Sequence, residues 1–196
     1  MHAITDEQIA RRADVGDVAW ELSIGAGHEL GFHARGRTLT GLEHYELAMR
    51  LSKCAPDRLF VNDRLDVALA VPSAGVQLGR GSLTVSAARE LEHRWWIGRS
   101  VHSLAEAQTA KAEGADYLVV GPVYATASHP DQPPLGLEPV RQIVALELPV
   151  IAIGGITPER VRALRAVGVS GVAAIRAFWD AAEPAVAARS MLEAWQ

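Results

Sequence analysis

A single cysteine, Cys54, among 196 residues leaves no partner for an intramolecular disulfide and no set of thiolates for a metal site. Its side chain is expected to pack as a small apolar group. Basic excess is missing too: 19 Lys and Arg stand against 23 Asp and Glu, a formal net charge of −4, so no nucleic-acid partner is expected. Nowhere do about 18 apolar residues run together, so no membrane helix is expected, and a cytoplasmic location is the default. There are no internal repeats, low-complexity tracts or interdomain linkers. Hydrophobic residues reach 49% against 21% charged, the make-up of a globular chain, and one domain spanning 1–196 is expected.

What is present is alternation. Short β-rich runs at 2–5, 29–33, 58–62, 75–78, 95–99, 117–120, 149–153 and 171–174 are separated by helical patterns. The helices are predicted at 18–26, 39–51, 63–70, 86–91, 104–113, 139–146, 158–167 and 184–195. Runs such as Tyr117-Leu118-Val119-Val120 are apolar throughout, as strands buried on both faces are. Thr157-Pro158 is a helix start, and Gly114 and Gly168 sit where helices stop in a left-handed residue. Eight strand-helix units in so short a chain predict an α/β fold, a single-domain TIM (β/α)₈ barrel with short loops.

In that architecture the chemistry lies at the C-terminal ends of the strands, and two features stand there. The segment 121–137 carries four prolines and a histidine and is too long for a plain turn. Gly154-Gly155 after the seventh strand and Ile175-Arg176 after the eighth offer backbone N–H groups to an anion, with Arg176 able to add a bidentate contact. A small phosphorylated ligand is the expectation.

Seven motifs follow one another along the chain: Arg35-Gly36-Arg37, Asn62-Asp63-Arg64, Gly75-Val76-Gln77-Leu78-Gly79, Ser100-Val101-His102-Ser103, Gly121-Pro122-Val123-Tyr124-Ala125-Thr126-Ala127-Ser128-His129-Pro130, Pro134-Leu135-Gly136 and Ala152-Ile153-Gly154-Gly155-Ile156. Together they resemble the thiamine phosphate synthase and TenI thiazole tautomerase superfamily, over residues 2–178. The resemblance implies a (β/α)₈ barrel of thiamine biosynthesis and identifies the phosphorylated ligand as a thiazole phosphate.

The superfamily divides by chemistry. A synthase joins thiazole phosphate to a hydroxymethylpyrimidine pyrophosphate and must stabilise the departing pyrophosphate, a task suited to Mg²⁺ on two acidic groups with cations nearby. Its pattern is Gln-Leu-Arg-Glu-Lys, Asn-Asp-Arg and Gly-Gln-Glu-Asp after strands two to four, and Thr-Pro-Thr-Lys on the long loop. Here the first reads His33-Ala34-Arg35-Gly36-Arg37, Asn62-Asp63-Arg64 is intact, and the third reads Gly79-Arg80-Gly81-Ser82. The loop reads Thr126-Ala127-Ser128-His129, with a titratable imidazole in place of lysine. By resemblance these changes favour a TenI-like tautomerase, an isomerase that aromatises thiazole carboxylate phosphate by metal-free acid–base proton transfer. The histidine of the best-known tautomerases is Pro122 here, so the proton carrier is sought in His129, His102 or His33.

The expected substrate contacts are Arg35, Arg37, Asn62, Asp63, Ser100, Thr126, Ser128, Gly154, Gly155, Ile175 and Arg176. No cofactor is expected for the tautomerase. Two alternatives stand beside it: a divergent synthase with Mg²⁺ on Asp63, and a non-catalytic protein that binds thiazole phosphate. Trp95-Trp96 and the terminal helix ending at Trp195 are candidate surfaces for a homodimer.

Overall fold

The computed structural model describes residues 1–126 and 132–196 and shows a closed barrel of eight parallel strands in sequential order. The strands are β1 (His2–Ile4), β2 (Gly31–Ala34), β3 (Leu59–Asn62), β4 (Gly75–Leu78), β5 (Trp96–Val101), β6 (Tyr117–Val120), β7 (Val150–Ile153) and β8 (Gly171–Ala174). Around them run α1 (Glu7–Ala10), α2 (Val15–Ala26), α3 (Gly41–Ser52), α4 (Leu65–Ala70), α5 (Val85–Leu91), α6 (Leu104–Ala112), α7 (Leu137–Val144), α8 (Pro158–Ala166), α9 (Arg176–Trp179) and α10 (Pro184–Trp195). The ring closes where β1 pairs with β8, His2 opposite Ala173, and α10 packs against α2 and α8 on the outside.

The strand alternation divides the core in two. Outward side chains such as Phe32, Leu59, Val61 and Leu118 join the helices in the main core, with Trp179 and Phe178 filling the space beneath α9. Inward side chains form a smaller lumen cluster of Ile4, Tyr117, Val119, Ile151 and Ala173. Its floor is aromatic, with Phe60 stacked on the His33 ring at 5.0 Å and edge-on to Tyr117 at 5.7 Å. Gly98 makes room for that ring: a Cβ there would lie 2.2 Å from Tyr117 Cζ.

The predicted elements are all found, with shifted ends. The second strand begins at Gly31, because 27–29 form a 3₁₀ turn, and the fifth continues to Val101. The helix predicted at 18–26 starts at Val15, and that predicted at 139–146 starts at Leu137. The four-residue helices α1 and α9 are too short to show a period in sequence. Of the tryptophans offered as a dimer surface, Trp95 is buried, Trp195 packs against the core, and Trp96 is exposed. No helix among the described residues is long and apolar enough to cross a membrane.

Candidate functional site

One cavity of about 600 Å³ opens at the C-terminal ends of the strands. It gathers nearly all of the expected substrate contacts: Arg35, Arg37, Asn62, Asp63, Ser100, Thr126, Gly154, Gly155, Ile175 and Arg176 line it, with His102. Ser128 and His129 lie outside the described residues. Gln77, Arg80 and Arg160 line it as well. Gln77 had a legible signal, since a glutamine inside an apolar strand must find a polar neighbour, and its Nε2 donates to Ser100 Oγ at 2.9 Å. Arg160 on α8 had none, because helical spacing alone reads it as a solvated face.

The turn after β7 depends on glycine. Gly154 and Gly155 have φ of +100° and +62°, and a Cβ on Gly155 would lie 2.5 Å from the Ala125 carbonyl oxygen. Arg160 donates to the Gly155 carbonyl at 2.6 Å and covers the Tyr124 ring at 4.7 Å, bracing the turn. The N–H groups of Gly155 and Ile175 have no protein acceptor among the described residues. Arg176 does not stand free beside them as the sequence suggested. Its guanidinium is held by Asp6 (2.8 Å), Gln8 (3.0 Å) and Asp180 (3.0 Å), which ties α9 to α1 at the rim.

On the opposite wall the charge is one-sided. Among the described residues five arginines line the cavity, Arg35, Arg37, Arg80, Arg160 and Arg176, against one carboxylate, Asp63. Buried Thr5 ties down the end of β2 by accepting the Arg35 N–H at 2.8 Å. The Arg35 and Arg37 guanidiniums have no hydrogen-bond acceptor among the described residues. Burial and the neighbouring Arg37 charge push the Arg35 pKa below its ordinary value, against the opposing pull of Glu7, Asp63 and Asp6. Arg80 turns away to Glu106 at 2.9 Å.

Asp63 stands in the left-handed region, φ +62°, directly after β3. Its Oδ1 accepts the Gly79 N–H at 2.7 Å and the Ser82 hydroxyl, so the residue in place of a second carboxylate is spent on holding the first. No group of three or more His, Cys, Asp or Glu able to hold a metal exists among the described residues. Asp63 Oδ2 is thus the oxygen available to a cation, which suits Mg²⁺ arriving with a diphosphate and its own waters.

The two described histidines proposed as proton carriers are placed differently. His102 reaches the cavity and donates from Nδ1 to the Gly121 carbonyl at 2.5 Å, and Nε2 has no hydrogen-bond partner among the described residues. His33 does not reach it: the side chain is fully buried in the floor, between His2 and Asn62. His33 lies inside β2 rather than after it, at a depth that a period of two carries no information on.

Compared with known proteins, residues 1–178 match the sequence model of a family described as thiamine monophosphate synthase. The chain is 38% identical to thiamine-phosphate synthase of Pyrococcus horikoshii, over 90% of this chain and 85% of that protein. It is also 38% identical to thiamine-phosphate synthase of Methanoculleus marisnigri, over 97% and 92%. Among solved structures it matches thiamine phosphate pyrophosphorylase from Pyrococcus furiosus with a TM-score of 0.86 at 32% identity, covering 99% of this chain and 94% of that one. These synthase relatives overturn the expectation of a thiazole tautomerase. That expectation leaned on two single-residue changes, Ser82 and His129, while the cationic wall, which has no evident use in a metal-free proton shift, is intact.

Proposed function

The chain belongs to the thiamine monophosphate synthase family, and from that premise we propose that it is the transferase its relatives are named for, joining hydroxymethylpyrimidine pyrophosphate to thiazole phosphate and releasing pyrophosphate. The observation that carries this reading is the pair of guanidiniums on Arg35 and Arg37, side by side on the cavity wall, the first partly buried and neither with a hydrogen-bond acceptor among the described residues. A diphosphate supplies those acceptors, and its oxygens match the guanidinium fork in bidentate fashion. Negative charge grows on the leaving group as its bond to the pyrimidine breaks, so the same two residues bind it more tightly in the transition state than in the ground state.

The opposite rim takes the second substrate. The free N–H groups of Gly155 and Ile175 donate to the thiazole monoester, whose ring then points down toward Val119, Ile153 and Ala173. The apolar lumen beneath the rim excludes water from the reacting atoms. Asp63, through Oδ2, would hold Mg²⁺ together with the diphosphate, and the cation when bound neutralises charge on the leaving group. Asn62 and Ser100 line the ground between the two anion sites and orient the pyrimidine.

The test is release of inorganic pyrophosphate by the purified protein with both substrates and Mg²⁺. Turnover that requires both substrates is the expected result. Binding of thiazole phosphate without any release of pyrophosphate would return the chain to a binding role.

A further inference from the structure

Beneath the site lies a chain of side chains of which only the last, Asn62, lines the cavity. His2 Nδ1 is 2.9 Å from His33 Nε2, and His33 Nδ1 is 3.1 Å from Asn62 Oδ1. The first imidazole stands at the N-terminal end of the barrel, the second is fully buried on β2, and Asn62 forms part of the cavity wall. The contacts therefore run from the barrel floor to the ligand site. Asn62 Nδ2, the far end of that carboxamide, has no acceptor among the described residues.

An imidazole with one ring proton donates on one side and accepts on the other. His33 is held to one proton: it is enclosed, Phe60 lies stacked on it at 5.0 Å, and the charges that reach it, the N-terminal ammonium and Arg35, are both positive. Two directions remain for the chain. If His33 carries its proton on Nδ1, it donates to Asn62 Oδ1 and accepts from His2 Nδ1–H, and the carboxamide presents N–H groups to the cavity. In the opposite direction the carboxamide would turn over and present its oxygen. A bare oxygen facing a diphosphate, one residue from Asp63, adds repulsion where the arginines supply attraction, so the first direction agrees with the site.

We propose that the His2–His33 pair is a positioning device for Asn62: both imidazoles adopt the Nδ1–H form, and together they hold the carboxamide with its NH₂ turned toward the ligand as a donor. His33 thereby acts on the substrate through Asn62 and is a positioning residue. The inference deepens the proposed function and rests on it, since an acceptor-rich ligand is what selects the direction of the chain, while the tautomer can be measured without any ligand.

The experiment has two arms on the full chain. In ¹⁵N-labelled protein near neutral pH, long-range ¹H–¹⁵N correlation is expected to show His33 protonated at Nδ1 and bare at Nε2. The reverse tautomer, or an imidazolium, would overturn the proposal. The second arm compares His33→Asn, whose amide nitrogen falls near Nδ1, with His33→Gln, whose amide nitrogen falls near Nε2. Both lose the ring, so melting temperature drops in each and does not separate them. Binding does: calorimetry with hydroxymethylpyrimidine pyrophosphate is expected to give a Kd raised about tenfold in His33→Gln and nearly unchanged in His33→Asn, the difference being one oriented hydrogen bond. Equal losses in the two variants would reduce His33 to a packing role and overturn the proposal. A wild-type protein that neither binds nor turns over this compound would instead remove the functional reading, and the tautomer would then decide the inference alone.

Discussion

At the scale of single residues the site is a place where stability is exchanged for binding. Arg35 is partly withdrawn from water beside Arg37, and Glu7, Asp63 and Asp6 act on it without a direct ion pair among the described residues, an arrangement that folding alone does not favour. Arg35→Ala is therefore expected to leave the melting temperature unchanged or slightly raised. It should weaken inorganic pyrophosphate about 10- to 100-fold, the range for a charged hydrogen bond of about 1.5–3 kcal/mol, as calorimetry would show. His33 makes the second residue-scale prediction. Burial pushes its pKa from 6.5 to about 4, and burial also lowers that of His2. Between those two values the unfolded chain binds a proton that the folded chain refuses, so stability rises with pH across the window and is lost as pH falls through it. The His33 contribution is about 3 kcal/mol at an order of magnitude, and urea titrations at a series of pH values should show its slope diminished in His33→Asn. Neither property was legible in the sequence, where His33 and Arg35 are two polar residues two apart at the end of one strand. Only the third dimension separates a ring in the floor from a guanidinium on the wall.

Elements decide where the anion sites lie. The strands were legible because each is a short apolar run closed by glycine or a polar turn, and the order of units followed from their alternation. Their exact ends were not, since 27–29 and 56–58 form 3₁₀ turns that feed into β2 and β3. The turn joining β7 to α8 was legible in Gly154-Gly155, and the structure adds the reason: both residues have positive φ, and Ala125 and Tyr124 press on the place where a side chain would stand. Gly155→Ala is expected to cost about 1–2 kcal/mol of stability from the left-handed backbone alone. It should weaken thiazole phosphate much more than pyrophosphate, because the displaced N–H belongs to that half of the cavity. Paired calorimetric titrations check it, and equal weakening of both ligands would show that the two anion sites are not separate. Short α9 was invisible in sequence, yet it carries Arg176 into the Asp6 and Asp180 contacts that close the rim.

On the scale of the whole molecule a net charge of −4 coexists with a cavity lined, among the described residues, by five arginines and one carboxylate, so total charge says nothing about the charge of the ligand. Binding an anion there stabilises the folded state by mass action: pyrophosphate at about 100 times its Kd should add about 2.7 kcal/mol. A thermal shift measured by differential scanning fluorimetry is the readout, and it should shrink as salt approaches about 1 M, where the screening length is about 3 Å. By itself the sequence determined the number and order of the strand-helix units, the closed parallel barrel, and the strand ends at which the cavity opens. These follow from local pattern and from the few ways parallel strands can bury both faces. Only the tertiary structure decided that Arg35 and Arg37 stand without acceptors, that Ser82 secures Asp63, and that His33 lies under the site. Each of those depends on which side chains of strands far apart in the chain come within reach of one another when the barrel closes.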